Sequence, residues 1–331
     1  MLSVRKNMRG LYTNFLSLLY MGLALYLTVL LLRYPALSLQ YAATGLSLWF
    51  QKMIPTLLPF MILSGIMISM NLTARFVRLL HPILHFFYGT TPNGSYILLM
   101  GFLCGFPMGA RIAGQLRSKG RISGKEAEAL LAFCNNIGPI YFLSFVVSTL
   151  SLKRPMLPFL LMYGIPLVYG VALMRIVPAL SGRICRGEHS TDLVSLKEGA
   201  AYNQTAKENA APEGLLSALD SAILSGLVGI GKLGGYMVFF NLLNILFVPF
   251  THLPPLLLHL YQCLLEITGG IAGCGAACPR LVLILLPFGG LSCIAQTYSM
   301  IRETDLSIRP YLFHKLVQTG LTAVCYLFFI K

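Results

Sequence analysis

GFLCGFPMGARIAGQLRSKGRISGKEAEALLAFCNNIGPIYF, Gly101 to Phe142, places two apolar segments on either side of a basic turn and breaks each in its middle. Gly101, Gly105, Pro107 and Gly109 interrupt the first; Asn135, Asn136, Gly138 and Pro139 interrupt the second. Proline lacks the N–H that continues a helix, and glycine tolerates the backbone angles a break needs. Each break frees backbone polar groups. In a bilayer these are tolerated only under cover of other protein or beside a polar cavity, so paired broken helices point to a binding site.

The whole chain fits that setting. It has 331 residues, 56% hydrophobic and 11% charged, with a mean hydropathy of +0.74. Crossing about 30 Å of hydrocarbon takes about 20 helical residues, and a succession of apolar stretches reach that length or pair up to reach it. The expected fold is an all-α polytopic membrane protein, which excludes a soluble multidomain chain. The net charge of +14 does not indicate nucleic acid, because Lys and Arg occupy short connections rather than one patterned face. The eight cysteines are scattered and mostly apolar in context. Cys274 and Cys278 lie four apart, but no neighbouring His or Cys in the sequence completes a ligand set, so no metal and no cofactor is expected.

Arg5, Lys6 and Arg9 precede an apolar run from Leu11 to Leu32, too long for a signal-peptide core. Residues 1–35 therefore read as a first span with a cytoplasmic N-terminus. Leu39 to Met70 follows, with Lys52, Pro55 and Pro59. Leu72 to Tyr88 reads as an interfacial helix; its His81 and His85, four apart, share a face. After the broken pair comes a span from Leu157 to Val177. Residues 179–213 are polar and mixed in charge, a linker that divides the chain.

Such a divider prompts a search for repeats. A shift of 180 brings Lys52 onto Lys232 and Phe60 onto Phe240; a shift of 184 brings Gly105 onto Gly289 and Ser123 onto Ser307. Residues 36–178 and 214–331 thus read as two repeats, the second with breaks at Gly289-Gly290 and Thr319-Gly320. The turn from Leu116 to Lys125 carries Arg117, Lys119, Arg121 and Lys125 and no acid before Glu126. Its counterpart, Ile301 to Pro310, carries Arg302 and Arg309 with Glu303 and Asp305. By charge, the first turn is expected in the cytoplasm and the second outside. That implies an inverted repeat, the architecture of many secondary transporters.

Gly105-Phe106-Pro107-Met108-Gly109-Ala110, the helix start from Ile122-Ser123 to Glu126-Ala127-Glu128, Asn135-Asn136-Ile137-Gly138-Pro139 and Pro287-Phe288-Gly289-Gly290-Leu291-Ser292 with Gln296 resemble the YlbJ (SpoVV) family of sporulation integral membrane proteins. The resemblance spans roughly Gly45 to Leu321. It implies a nucleoside-recognition or gate domain, related to modules of concentrative nucleoside transporters. It also implies passage of dipicolinic acid from the mother cell across the outer forespore membrane.

A planar dicarboxylate needs donors. Helix N-termini supply free N–H groups and a partial positive charge of about half a unit. Such half-helix starts are expected just after Phe106 and Gly138, because Pro107 and Pro139 suit a first helical position. Asn135 and Asn136 offer amides at the second break, as do Ser292 and Gln296 beside Gly289 and Gly290. Lys52, Lys232 and Arg111 are candidates to balance the solute's charge, and Gly109 lets backbones approach. Glu266, a carboxylate at an apolar helix end, is a candidate proton or cation handle. Plainer roles compete: glycines pack helices, asparagines recap freed backbone, and lysines snorkel.

The leading expectation is a carrier of a small organic anion embedded in lipid, with homo-oligomerisation left open. A nucleoside or nucleobase carrier would prefer neutral groups to Lys52, Lys232 and Arg111. A scaffold for other sporulation proteins would need larger soluble domains. An enzyme is not expected, since the chain has no HExxH, G-x-S-x-G or P-loop and only Asp220 among aspartates within an expected span.

Overall fold

A computed structural model describes residues 2–176, 214–250 and 254–328, with side chains from residue 16 onward. The expected linker at 179–213 lies outside the described residues. Everything described is helical or connecting, with no strand among the described residues, and six helices are long and apolar enough to cross a membrane. This is the all-α polytopic membrane fold that the hydropathy dictates.

The helices are α1 (Leu2–Arg33), α2 (Pro35–Leu48), α3 (Ile54–Ser69), α4 (Thr73–Phe76), α5 (His81–Tyr88), α6 (Pro92–Cys104), α7 (Met108–Ser118), α8 (Gly124–Cys134), α9 (Pro139–Tyr141), α10 (Val147–Thr149), α11 (Met156–Val171), α12 (Leu215–Leu242), α13 (Pro255–Leu265), α14 (Ile267–Cys274), α15 (Pro279–Leu285), α16 (Gly290–Ile301) and α17 (Ile308–Phe328). A π-helical turn, Trp49–Met53, joins α2 to α3. It precedes Pro55, whose missing N–H and ring prevent a regular α-turn there.

The α2–α3 helix lies antiparallel to α12. A Cβ on Gly45 would meet the Met237 backbone, and one on Gly65 would meet Ala222. Trp49 inserts between them, its Nε1 donating to Ile230 O at 2.8 Å with its indole over Gly234.

Basic residues then gather at one end. The Arg121 guanidinium donates to Ile68 O at 2.6 Å, a carbonyl in the last turn of α3. Glu126 accepts from the Thr91 N–H at 2.7 Å and so ties the start of α6 to the start of α8. Asn93 donates to Arg121 O at 2.9 Å, so α6 begins where α7 has just ended. Helices α6 and α7 therefore form a re-entrant hairpin that enters from this basic face and returns to it, its tip at Gly105–Pro107. The Phe106–Pro107 peptide is cis. From the same face α8 runs inward, unwinds at Asn135–Gly138, and continues through α9 and α10 to the opposite face. Helix α11 returns, and Arg175, in the helical turn Ala172–Ile176 that follows it, donates to the His85 and Phe86 carbonyls near the basic face.

The second half repeats this order in the other direction. Tyr261 of α13 stacks on Phe247, 3.6 Å between ring centroids, and donates to Leu243 O at 3.0 Å, so α13 enters from the face opposite the basic turn. Helices α13 and α14 form a second re-entrant hairpin, its tip at Glu266, where the backbone is extended. Helices α15 and α16 form a second broken span, interrupted at Leu286–Gly289, and α17 runs back from the basic face. Long helix, hairpin, broken span, span: the series occurs twice with opposite polarity, an inverted repeat.

Three expectations about that repeat are corrected. The turn at 301–310 is not on the face opposite the turn at 116–125. Arg117 binds Asp305 through two bonds, Nε–Oδ1 2.7 Å and Nη2–Oδ2 2.6 Å, and Ser307 N donates to Glu128 Oε1 at 2.7 Å, so the turns are neighbours. The 184-residue shift paired unlike elements. Gly289 belongs to the broken span and corresponds to the Asn135–Gly138 break, whereas the tip at Gly105–Pro107 corresponds to Glu266. The pairing of Lys52 with Lys232 does fall on equivalent helices. Nor is there a break at Thr319-Gly320: α17 is continuous from Ile308 to Phe328, and Gly320 faces open space. A glycine alone does not unwind a membrane helix that keeps its backbone bonds.

Candidate functional site

Four breaks meet in the middle of the molecule. One cavity is lined by Leu103, Cys104 and Phe106 of the first hairpin, by Ile137, Gly138, Ile140 and Tyr141 of the first broken span, by Glu266, Ile267 and Thr268 of the second hairpin, and by Cys293 and Gln296 of the second broken span. Met53, Thr56, Leu57 and Phe60 of the α2–α3 helix and Leu233 and Met237 of the adjoining α12 complete the lining. Its volume is about 50 Å³, room for a few water molecules, well below the roughly 300–1,000 Å³ of an open ligand pocket.

Close backbone approach builds it. Gly105, at φ +84, lies where a Cβ would run into the Gly138 backbone. Gly289, at φ +75, places the Phe106 ring where a Cβ would sit 2.9 Å from it, so the first hairpin tip rests on the second break. Phe106 N donates to Asn136 O at 2.6 Å, consuming one of the carbonyls freed there. Each break leaves a helix start toward the centre. Gly138 is the cap of α9 with Pro139 at the first position, as expected. Pro107 is itself the cap of α7, one residue from its expected place.

At the second hairpin the helix start is already occupied. The Glu266 carboxylate caps α14, accepting from Thr268 N at 3.2 Å and Gly269 N at 2.6 Å, and Asn241 Nδ2 donates to it at 3.0 Å. Glu266 is buried and lines the cavity, the one acidic side chain on its wall among the described residues. The Tyr141 hydroxyl approaches the Thr268 side chain without completing a well-formed hydrogen bond.

The expected residues separate by where the fold puts them. Phe106, Gly138, Gln296 and Glu266 line the cavity. Pro107, Gly109, Gly289, Gly290 and Ser292 are buried just behind it; Gly109 packs against Cys134 and Asn135, Gly290 against the α13 backbone, and Ser292 accepts from Gln296 Nε2 at 2.9 Å. Asn135 and Asn136, both fully buried, hold the halves together. Asn135 Nδ2 donates to Thr297 Oγ1 at 2.9 Å and approaches the Tyr311 hydroxyl at 3.3 Å. Arg111 points away, to Ser225 Oγ at 2.9 Å, over Gly229, where a Cβ would overlap the guanidinium. Lys52 and Lys232 are exposed on the outer surface and do not line the cavity.

No family model matches the chain, and no solved structure matches it significantly. Among curated proteins it is 28% identical over 335 residues to the sporulation integral membrane protein YlbJ of Bacillus subtilis (strain 168), across 93% of this chain and 81% of that protein. The similarity to this YlbJ protein runs along nearly the whole chain. The motifs that carry the resemblance are the breaks themselves: Gly105–Ala110 makes the first hairpin tip, Asn135–Pro139 the first broken span and Pro287–Ser292 the second.

Sequence reasoning missed Lys315. Its side chain is fully buried in α17, with Nζ 2.7 Å from Asn136 Oδ1 and 5.3 Å from the centroid of the Phe106 ring. Gln318, one turn on, donates to Ala132 O at 2.7 Å. A signal existed: Tyr311, Lys315, Gln318 and Thr322 recur every three or four residues, a polar stripe on one helix face, and all four are buried. Tyr141, Thr56 and Thr268 carried no such pattern.

Proposed function

We propose that this chain is a transporter, not an enzyme, and that it moves a small organic anion, dipicolinate, through the cavity where the four breaks meet. One observation carries the reading: two re-entrant hairpins and two broken spans, related by an inverted repeat, direct helix ends at a single mid-depth cavity. That is where alternating-access carriers bind solute, using N-termini for anionic groups and carbonyl ends for cations. The same arrangement supports the gate-domain relationship that the family resemblance implies. Lys315, behind Phe106, places a hydrogen-bond donor one layer from the lining, and Glu266 is the group to couple a proton or cation.

The setting is the outer forespore membrane of a sporulating cell. Arg75, Arg78, Arg117, Lys119, Arg121 and Lys125 all belong to the basic face, against Lys153, Arg154 and Arg280 at the other. The positive excess supports a cytoplasmic basic face, and a cytoplasmic N-terminus belongs to the same reading.

A second reading has its own support. Apart from Glu266 the polar side chains on the lining, Thr56, Tyr141, Thr268 and Gln296, are neutral, which suits a nucleobase or nucleoside. Proteoliposomes containing the full chain separate the readings. The anion reading expects saturable dipicolinate uptake that uridine does not compete away and that falls at least tenfold in Gln296→Ala. Uptake of uridine alone favours the second reading, and flux no faster than protein-free vesicles for both solutes defeats the transport reading.

A further inference from the structure

The base of the second hairpin, on the face opposite the basic turns, gathers three side chains that the transport reading does not use. His259 lies in the second turn of α13, Cys274 ends α14, and Cys278 caps α15. One ligand atom from each lies within 4.8 Å of both others. The fold supplies what the sequence alone lacked. Because α13 and α14 run antiparallel, His259 reaches the depth of Cys274, and Gly275, at φ +52, turns the chain so that Cys278 comes back beside Cys274.

We propose that His259, Cys274 and Cys278 bind a thiophilic d10 metal ion, with Zn²⁺ the representative, leaving a fourth position for water or another oxygen donor. The chemistry of the set fits. The three-residue gap between the cysteines lies within the spacing of zinc ligands, and Cys₂His is a known donor combination. Zn–S and Zn–N bonds of about 2.3 and 2.0 Å put tetrahedral donors roughly 3.5–4 Å apart, so closing onto an ion takes a movement of about 1 Å or less. Gln262 Oε1 stands 3.4 Å from His259 Nδ1, the outer partner that fixes the ring's tautomer and presents Nε2 to an ion. Cys274 is buried while Cys278 and His259 are partly exposed, so an ion has a route in from water. Bound there, it clasps both arms of the hairpin to the start of α15 and so restrains the hairpin whose tip carries Glu266.

The full chain, purified in detergent under reducing conditions and stripped with a chelator, is titrated with Zn²⁺ and with Co²⁺. The expected result is one equivalent of each, with Co²⁺ giving intense four-coordinate d–d bands and a thiolate-to-cobalt charge-transfer band. Cys274→Ser and Cys278→Ser each weaken binding at least a hundredfold and reduce the charge-transfer band, His259→Ala weakens it at least tenfold, Gln262→Ala about tenfold, and Cys325→Ser leaves it unchanged. Absence of stoichiometric metal in the wild-type chain overturns the proposal, as does a charge-transfer band that survives in the double Cys274→Ser, Cys278→Ser variant. A mass two hydrogens short from a Cys274–Cys278 disulfide that persists under reductant, with no metal bound, also overturns it. The wild-type titration decides the matter even if a variant fails to fold.

Discussion

Lys315 Nζ lies 2.7 Å from Asn136 Oδ1, joining the continuous last helix of one repeat to the unwound middle of the other. Both residues are fully buried, so neither can recover water if its partner is lost. Asn136→Ala is expected to cost about 1–3 kcal/mol by leaving the buried Lys315 amine without its amide partner. Lys315→Met in the Asn136→Ala background should recover a large part of that. Thermal unfolding in detergent, followed by monodispersity on gel filtration, measures the cycle; equal loss in single and double variants would show the pair to be uncoupled.

Glu266 caps α14 and faces the cavity, so its two roles separate by substitution. Glu266→Ala removes acceptors from Thr268 N and Gly269 N and should cost about 0.5–2 kcal/mol, as capping losses do. Glu266→Gln keeps the shape and one acceptor. It is expected to fold, to transport, and to lose the response of flux to an imposed proton or sodium gradient. A gradient response unchanged in Glu266→Gln assigns coupling elsewhere.

Arg117 and Asp305 bring the two turns together at the surface, and Arg117, chiefly by its hydrogen bonds, holds the Asp305 carboxyl below its ordinary value. A depressed carboxylate stabilises the fold above the unfolded pKa, and that contribution is lost as the pH falls below about 4. Asp305 is largely exposed, so Arg117→Ala should cost no more than about 1 kcal/mol near neutrality and nothing in strong acid. The positional consequence is sharper: Arg117→Cys with Asp305→Cys should cross-link readily under oxidant. Modification of the two cysteines from opposite sides of a sealed vesicle would contradict the shared face.

Glycines divide by what they touch. Gly234→Val drives a side chain into the Trp49 indole and should destabilise by about 1–3 kcal/mol, whereas Gly231→Ala and Gly320→Ala meet open space and should be neutral or stabilise by up to about 1 kcal/mol. Unfolding midpoints of the three variants check this. Gly320→Ala bears directly on the continuity of α17, because a glycine needed for a break would not tolerate alanine.

The fold was legible where a break carries its own chemistry. Gly105 and Pro107, Gly138 and Pro139, and Gly289 and Gly290 each announce an interruption by removing an N–H or permitting a positive φ. The tip at Glu266 has neither glycine nor proline at the break and turns instead on a side chain that caps its own helix, so it read as an ionisable group rather than a structural one. The repeat register failed for a related reason. The first half carries α4 and α5 before its hairpin, and α12 leads to α13 with no such pair between them, so a constant shift could align the long helices or the later breaks but not both. Lys52 and Lys232 illustrate the limit of symmetry as a guide: equivalent places in equivalent helices, yet both on the outside.

The cavity bounded by the four breaks is most directly tested by a cysteine placed on its wall. With Cys104 and Cys293 changed to serine, Thr56→Cys in a transporting proteoliposome should react with a small charged thiol reagent, and dipicolinate should slow that reaction at the concentrations that saturate flux. A cysteine at this position that reacts at the same rate with and without dipicolinate, in vesicles that still transport it, would place the solute path elsewhere.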